Sequence, residues 1–144
     1  MKRFGLSLLL LGALTGAAPA EVAQPLSLEV AGLRSEKGRL LICVTRAPAH
    51  FPDCSDDPDK RHFTLPAGKG PMQLGLLPAD NYAIAVIHDE NGNGKLDTFA
   101  GIPREGVGFS QNPVLRFGAP SFKSATFPIA GAPVQQQIRM KYFL

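Results

Sequence analysis

No apolar run after position 20 approaches the ~20 residues that a membrane-spanning helix requires, so no transmembrane segment is expected in the mature chain. Blocks of one charge sign are missing too. The formal charge of +3 arises from 15 Lys and Arg against 12 Asp and Glu, scattered among one another rather than gathered into a stripe. That distribution predicts no nucleic-acid partner. No Ser or Cys stands in a nucleophile setting, no segment keeps a helical period over three turns, and no internal repeat is evident. Cysteine is scarce, with two residues, which excludes a multiply bridged scaffold.

What is present begins with a targeting pattern. Lys2 and Arg3 precede an apolar run from Phe4 to Leu14, and Ala18-Pro19-Ala20 fits a signal-peptidase site. Residues 1–20 are expected to be a signal peptide and 21–144 one domain, periplasmic or secreted. In that oxidising setting Cys43 and Cys54 are expected to form a disulfide that closes a loop of about a dozen residues. A metal-binding or nucleophilic thiol would need ligand-spaced partners and an exposed thiolate.

The 15 Gly and 13 Pro exceed what helices tolerate and suit short strands joined by turns. Leu26, Leu28 and Val30 alternate with polar neighbours, and so do Leu40, Ile42 and Val44, so these two strands are expected to form a hairpin across the Ser35–Gly38 turn. Cys43 points away from the Leu40/Ile42/Val44 face. Runs at 62–65 and 72–77 read as strands, the second pointing Met72, Leu74 and Leu76 to one side. Tyr82 to Ile87 is apolar on both faces, as in a central strand covered from both sides. Further strands are expected at 114–117, 124–129 and near 137–142. The expected fold is all-β: a single antiparallel β-sandwich of seven to eight strands, with a long polar loop after the central strand.

That loop carries most of the chemistry. In VIHDENGNGKLDTFAGIPREGVGFSQN, Asp89, Asn91, Asn93 and Asp97 are spaced around Gly92 and Gly94, an alternation that turns oxygens inward around a sharp bend and suits Ca2+. Lys95 would add a backbone carbonyl, and Leu96 would anchor the loop. Ala100 stands where the calcium-loop pattern has a bidentate Glu, so this is no EF-hand, and Glu105 is the candidate to complete the shell. The same residues in Asx turns would cap a long hairpin without any ion. Asp56, Asp57 and Asp59 lack small hinges and read as a solvated acidic loop. Phe99, Ile102, Val107 and Phe109 are expected as a satellite core.

The motif H-D-E-N-G-N-G-K-L-D-T, with G-I-P-R-E-G-V-G-F-S and F-G-A-P-S-F after it, resembles the bacterial domain-of-unknown-function family 2141. The resemblance implies a secreted transthyretin-like or immunoglobulin-like β-sandwich and carries no activity with it. The chain departs from the family pattern at Val107, at Lys123 and in lacking an Asn between Thr98 and Phe99. The expected function is a non-enzymatic binding or structural module with a calcium-ordered loop and an envelope or extracellular partner. The alternative is a hydrolase-like enzyme using His88, Asp89 and Glu105.

Overall fold

A computed structural model describes residues 16–19, 21–68 and 70–144; the expected signal peptide at 1–20, apart from 16–19, lies outside the described residues. Among the described residues the chain folds into β-sheets with one short α-helix and a 3-10 turn at Pro48–His50. In the first sheet, β1 (Gln24–Ala31) lies between β4 (Met72–Leu77) and β10 (Val134–Arg139). In the second, the order is β3 (Arg61–Pro66), β2 (Arg39–Thr45), β5 (Asp80–Asp89) and β8 (Gly106–Phe109), and β9 (Phe127–Ile129) pairs with the start of β5. A small third sheet pairs β6 (Thr98–Phe99) with β7 (Ile102–Pro103).

The expected hairpin between the first two strands does not form, because β1 and β2 belong to different sheets. Each has one fully apolar face. Within one sheet those faces would lie side by side and still need a cover; in separate sheets they bury one another. Leu26, Leu28 and Val30 accordingly share one core with Leu40, Ile42, Val44, Tyr82, Ile84, Val86, Phe127 and Ile138. Pairing is also not uniformly antiparallel, since β1 runs parallel to β10 from Leu26↔Val134 to Ala31↔Arg139.

Strand β4 corrects a second expectation. Leu77 is fully buried whereas Leu76 is 59% exposed, so the alternation slips by one residue. The slip occurs at Gly75, whose φ of +92° makes a bulge that coincides with the register shift between Pro25 and Ser27 on β1.

The chain end is read differently as well. The segment 114–117 is irregular, and 124–129 divides into a helix, α1 (Phe122–Ala125), followed by β9. Ser121 explains the helix: its hydroxyl accepts from the Ser124 N–H, an N-cap. Beyond β10 the chain crosses between sheets, as Met140 N–H donates to Ala31 C=O at 2.8 Å and Lys141 bonds both ways with Val107 at 2.8 and 2.9 Å. Two glycines of β8 permit this crossing. A Cβ on Gly108 would sit 2.6 Å from Ile138 Cγ2, and one on Gly106 would sit 2.5 Å from the Tyr142 ring.

Cys43 and Cys54 are joined, with Cα atoms 6.0 Å apart, and both are buried. They lie on the far side of the second sheet from the main core, in a cluster with Ala83, Ala85, Val107, Phe109 and Ala125. Phe51 beside the bridge packs edge-on against Phe109 and Phe122, each at 5.9 Å. The bridge therefore pins the 46–60 segment onto the sheet. Replacing both cysteines by Ala is expected to lower stability by about 2–4 kcal/mol. Urea denaturation checks this, and mass spectrometry of the unreduced wild type should find no free thiol.

Candidate functional site

Adjacent residues at the end of β5 face opposite ways and take different work. His88 is fully buried, with Nδ1 2.7 Å from the Tyr142 hydroxyl and Nε2 2.8 Å from the Lys37 carbonyl. A carbonyl only accepts, so Nε2–H donates to Lys37 and Nδ1 accepts from Tyr142. Both ring nitrogens are occupied. The Tyr142 ring in turn lies 4.5 Å beneath Arg34, whose guanidinium holds Glu90 at 2.6 and 3.0 Å. Glu90 also accepts from Ser35 Oγ at 2.8 Å. With Arg34 as the larger influence, these donors hold the Glu90 carboxyl below its usual range.

Gly38 closes this cluster. Its φ is +70°, and a Cβ there would fall 2.1 Å from the Asp89 carbonyl oxygen, so the turn before β2 is pressed against the start of the long loop.

Asp89 is fully buried and organises that loop. Its Oδ1 accepts from Asn93 N–H at 3.0 Å, and its Oδ2 accepts from Gly94 N–H at 2.9 Å and Arg39 Nε at 3.0 Å. Burial opposes ionisation of this carboxyl, but Arg39 and the two backbone donors outweigh it and hold the group ionised below the usual carboxylate range. Gly92 and Gly94 adopt φ of +74° and +82°, the hinges the sequence pattern requires.

The other expected site residues gather on the outer side. Asn91 Oδ1 accepts from Asn93 N–H at 3.0 Å, and Asn93 Oδ1 from Lys95 N–H at 3.1 Å, so both make Asx turns. Their amide nitrogens converge on Asp97 Oδ2 at 2.6 and 2.7 Å. Leu96 packs against the cluster around the disulfide. The β6–β7 hairpin, turning through Ala100 and Gly101 at positive φ, then brings Glu105 back beside Asp97. Glu105 Oε2 accepts from Asp97 N–H at 3.1 Å, while its Oε1 is buried with no hydrogen-bond partner. Asn91, Asp97 and Glu105 thus share a polar recess of about 470 Å³ with Glu90, Thr98 and Arg104. That hairpin was missed in the sequence, where Ala100-Gly101 between apolar residues was its signal.

Among the described residues, the His, Cys and carboxylate trio with ligand atoms within 4.8 Å of one another is Cys43, Cys54 and His62. Two of those are spent in the disulfide. The carboxylates of Asp89, Asp97 and Glu105 do not converge to that distance, so a cation between them would have to draw Asp97 and Glu105 inward.

The family model described as an uncharacterized protein conserved in bacteria (DUF2141) matches residues 28–137. The chain belongs to this family. No curated protein and no solved structure matches it. The match takes in every candidate site residue of this DUF2141 chain, from Asp89 to Glu105, as well as both cysteines. Among the described residues, no helix is long and apolar enough to cross a membrane.

Two other expectations change. Phe99 and Ile102 are 65% and 43% exposed, so the satellite core keeps only Val107 and Phe109. Ile102 instead lines a groove of about 980 Å³ on the outer face of the second sheet, floored by Leu41, Cys43, Ala85, Ile87 and Val107. Its sequence signal was the central strand, apolar on both faces. The acidic loop is not fully solvated either. Asp57 is buried, accepts from the Thr45 hydroxyl and from Asp59 N–H at 2.9 Å, and Asp59 pairs with Arg46 at 3.1 Å.

The Thr45 hydroxyl bond, opposed by burial, holds the Asp57 carboxyl below its usual range. A depressed folded-state pKa adds stability above the unfolded value of about 3.9 and loses it as the pH falls through the folded one. Thr45→Val is therefore expected to destabilise at pH 7 and to flatten the loss of melting temperature as the pH falls below about 4. Thermal melts across that range check it; an unchanged acid slope would count against it.

Proposed function

We propose that this DUF2141 chain is a non-enzymatic binding or structural module of the bacterial periplasm or exterior, a β-sandwich whose long loop is ordered by Ca2+. One observation carries the reading. Glu105 Oε1 is a buried carboxylate oxygen without a partner in a recess it shares with Asp97 and Asn91. An unmatched buried acceptor costs about 1–3 kcal/mol, and more when charged, so a ligand of positive charge is favoured there.

The donor set fits a hard cation. Asp89, Asp97 and Glu105 supply carboxylates, Asn91 and Asn93 amide oxygens, and Lys95 its carbonyl. Asp89 retains capacity: a carboxylate accepts about four bonds, and this one receives three. The amide oxygens of Asn91 and Asn93 each keep a second lone pair beside the Asx-turn bond they accept. Bound Ca2+ would supply the charge that lets these oxygens lie together, and Arg39 would keep Asp89 oriented. The Asx turns already in place hold the loop near that arrangement. The N-terminal targeting pattern and the disulfide support the location. The hydrolytic alternative lacks such support, because both nitrogens of His88 are engaged.

With few carboxylates the affinity should fall at about 10⁻⁴–10⁻³ M. Calcium at ten times Kd adds roughly 1.4 kcal/mol, a rise in melting temperature of several degrees. Asp97→Asn and Glu105→Gln should lose that rise, Lys95→Ala should keep it, and Mg2+ should substitute poorly because the loop is too loose for octahedral geometry. No change in melting temperature or loop proteolysis at millimolar calcium would leave the Asx turns as the whole explanation of the loop.

A further inference from the structure

The outer face of the second sheet holds a different kind of site. The main core lies on the other face, so a sheet of this kind would ordinarily present polar residues outward. Here the outward residues Leu41, Cys43, Ala85, Ile87 and Val107 are apolar and form the floor of the 980 Å³ groove. Ala85 contributes to the depth, being small where its strand neighbours are large. That volume is at the upper end of the range for small-molecule sites, about 300–1,000 Å³.

Four separate parts of the chain build the walls: Pro52 to Ser55 beside the disulfide, the loop and hairpin from Gly94 to Pro103, Leu115 to Ala119, and Phe143 near the chain end. Phe117 on the third wall is 100% exposed and Ile102 on the second 43% exposed, although burying either side chain would be favourable. The charged lining residues are Asp53, Lys95 and Arg116. Asp53 is occupied by its own turn, accepting from Ser55 N–H at 3.2 Å and Ser55 Oγ at 3.3 Å. The side chains of Lys95 and Arg116 have no ion pair among the described residues. The groove therefore combines an apolar floor with two cations that make no ion pair among the described residues against one carboxylate, a net positive lining.

We infer that this groove binds a single-chain anionic amphiphile, its hydrocarbon tail on the Leu41/Ala85/Val107 floor and its acidic head at Lys95 and Arg116. The tail supplies affinity by area removed from water, and the two cations select the head group. The inference does not rest on calcium binding in the neighbouring recess.

Isothermal titration of the oxidised protein with dodecanoate below its micellar concentration tests it, with dodecanol as the uncharged control. One-to-one binding is expected with Kd on the order of 10 µM and a negative heat-capacity change. Reversing both cations, Lys95→Glu with Arg116→Glu, should weaken dodecanoate about tenfold and leave dodecanol unchanged. Ala85→Leu should weaken both ligands. If that buried variant fails to fold, Phe117→Asp at the fully exposed rim serves instead. The inference is overturned if neither ligand binds at millimolar concentration, or if charge reversal leaves dodecanoate affinity intact. Sedimentation with phosphatidylglycerol vesicles is expected to leave the protein in solution. Pelleting without binding of free dodecanoate would instead make the face a membrane-contact surface. A dimer by analytical ultracentrifugation that Phe117→Asp dissociates would make it a self-interface, which also overturns the inference.

Discussion

A strand that is apolar on both faces must be covered on both, and in this chain that demand falls on β5. Its Tyr82, Ile84 and Val86 face the first sheet and are nearly sealed from water, while Ala83, Ala85 and Ile87 face outward. One side has a whole sheet to cover it; the other has only loops, a disulfide and a one-turn helix. Loops cover less evenly than a sheet because their backbones must keep polar groups near solvent. The groove is what incomplete covering leaves. The Cys43–Cys54 bridge answers the same demand, holding the 46–60 segment over this face together with the Phe51–Phe109 contact and the Asp57–Thr45 hydrogen bond.

The second constraint is the passage from apolar strand to polar loop at His88 and Asp89. Both side chains are wholly buried, and a buried polar group is tolerated only where partners replace water. His88 meets that need with Lys37 and Tyr142, drawing the Ser35–Gly38 turn and the chain end to one place. Asp89 meets it with Arg39 and two loop N–H groups, so its carboxylate serves as the hub of the loop whatever else binds there. Removing Arg39 would leave the buried Asp89 charge without its cation, a larger penalty than the pair's own net contribution. The order of 89–105 is thus set from the buried end outward, and Glu105, at the far end of that order, is where satisfaction fails.

Strand existence was readable wherever one face alternated: β1, β2, β4 and β5 follow directly from their leucines, isoleucines and valines. Partnership was not readable, because alternation states that a face is buried but not against what, and β1 and β2 went to opposite sheets on that ambiguity. Gly75 shows a second limit, since a single glycine at positive φ shifted Leu77 inward while leaving the pattern of residue types unchanged. The site was more legible than the topology. Local spacing fixes local turns, so Asp89, Asn91, Asn93 and both hinge glycines sit as their spacing requires, and Glu105 lies within reach of Asp97. The groove was invisible in the same way as the strand partners, being made by segments far apart in sequence that meet over one face.

The two sites share a wall. Asp97 and Thr98 border the polar recess, and Lys95, Leu96 and Thr98 border the groove, so one short segment is a wall of both. The energetic consequence concerns order rather than contact. A ligand in the groove must immobilise whatever wall is loose, at about 0.5–1.5 kcal/mol for each side chain it fixes. Whatever holds 89–105 in place, whether the Asx turns alone or a cation added to them, meets part of that cost before the ligand arrives. The apolar groove and the acidic loop are therefore two faces of one ordered segment, and its anchor is the buried carboxylate of Asp89.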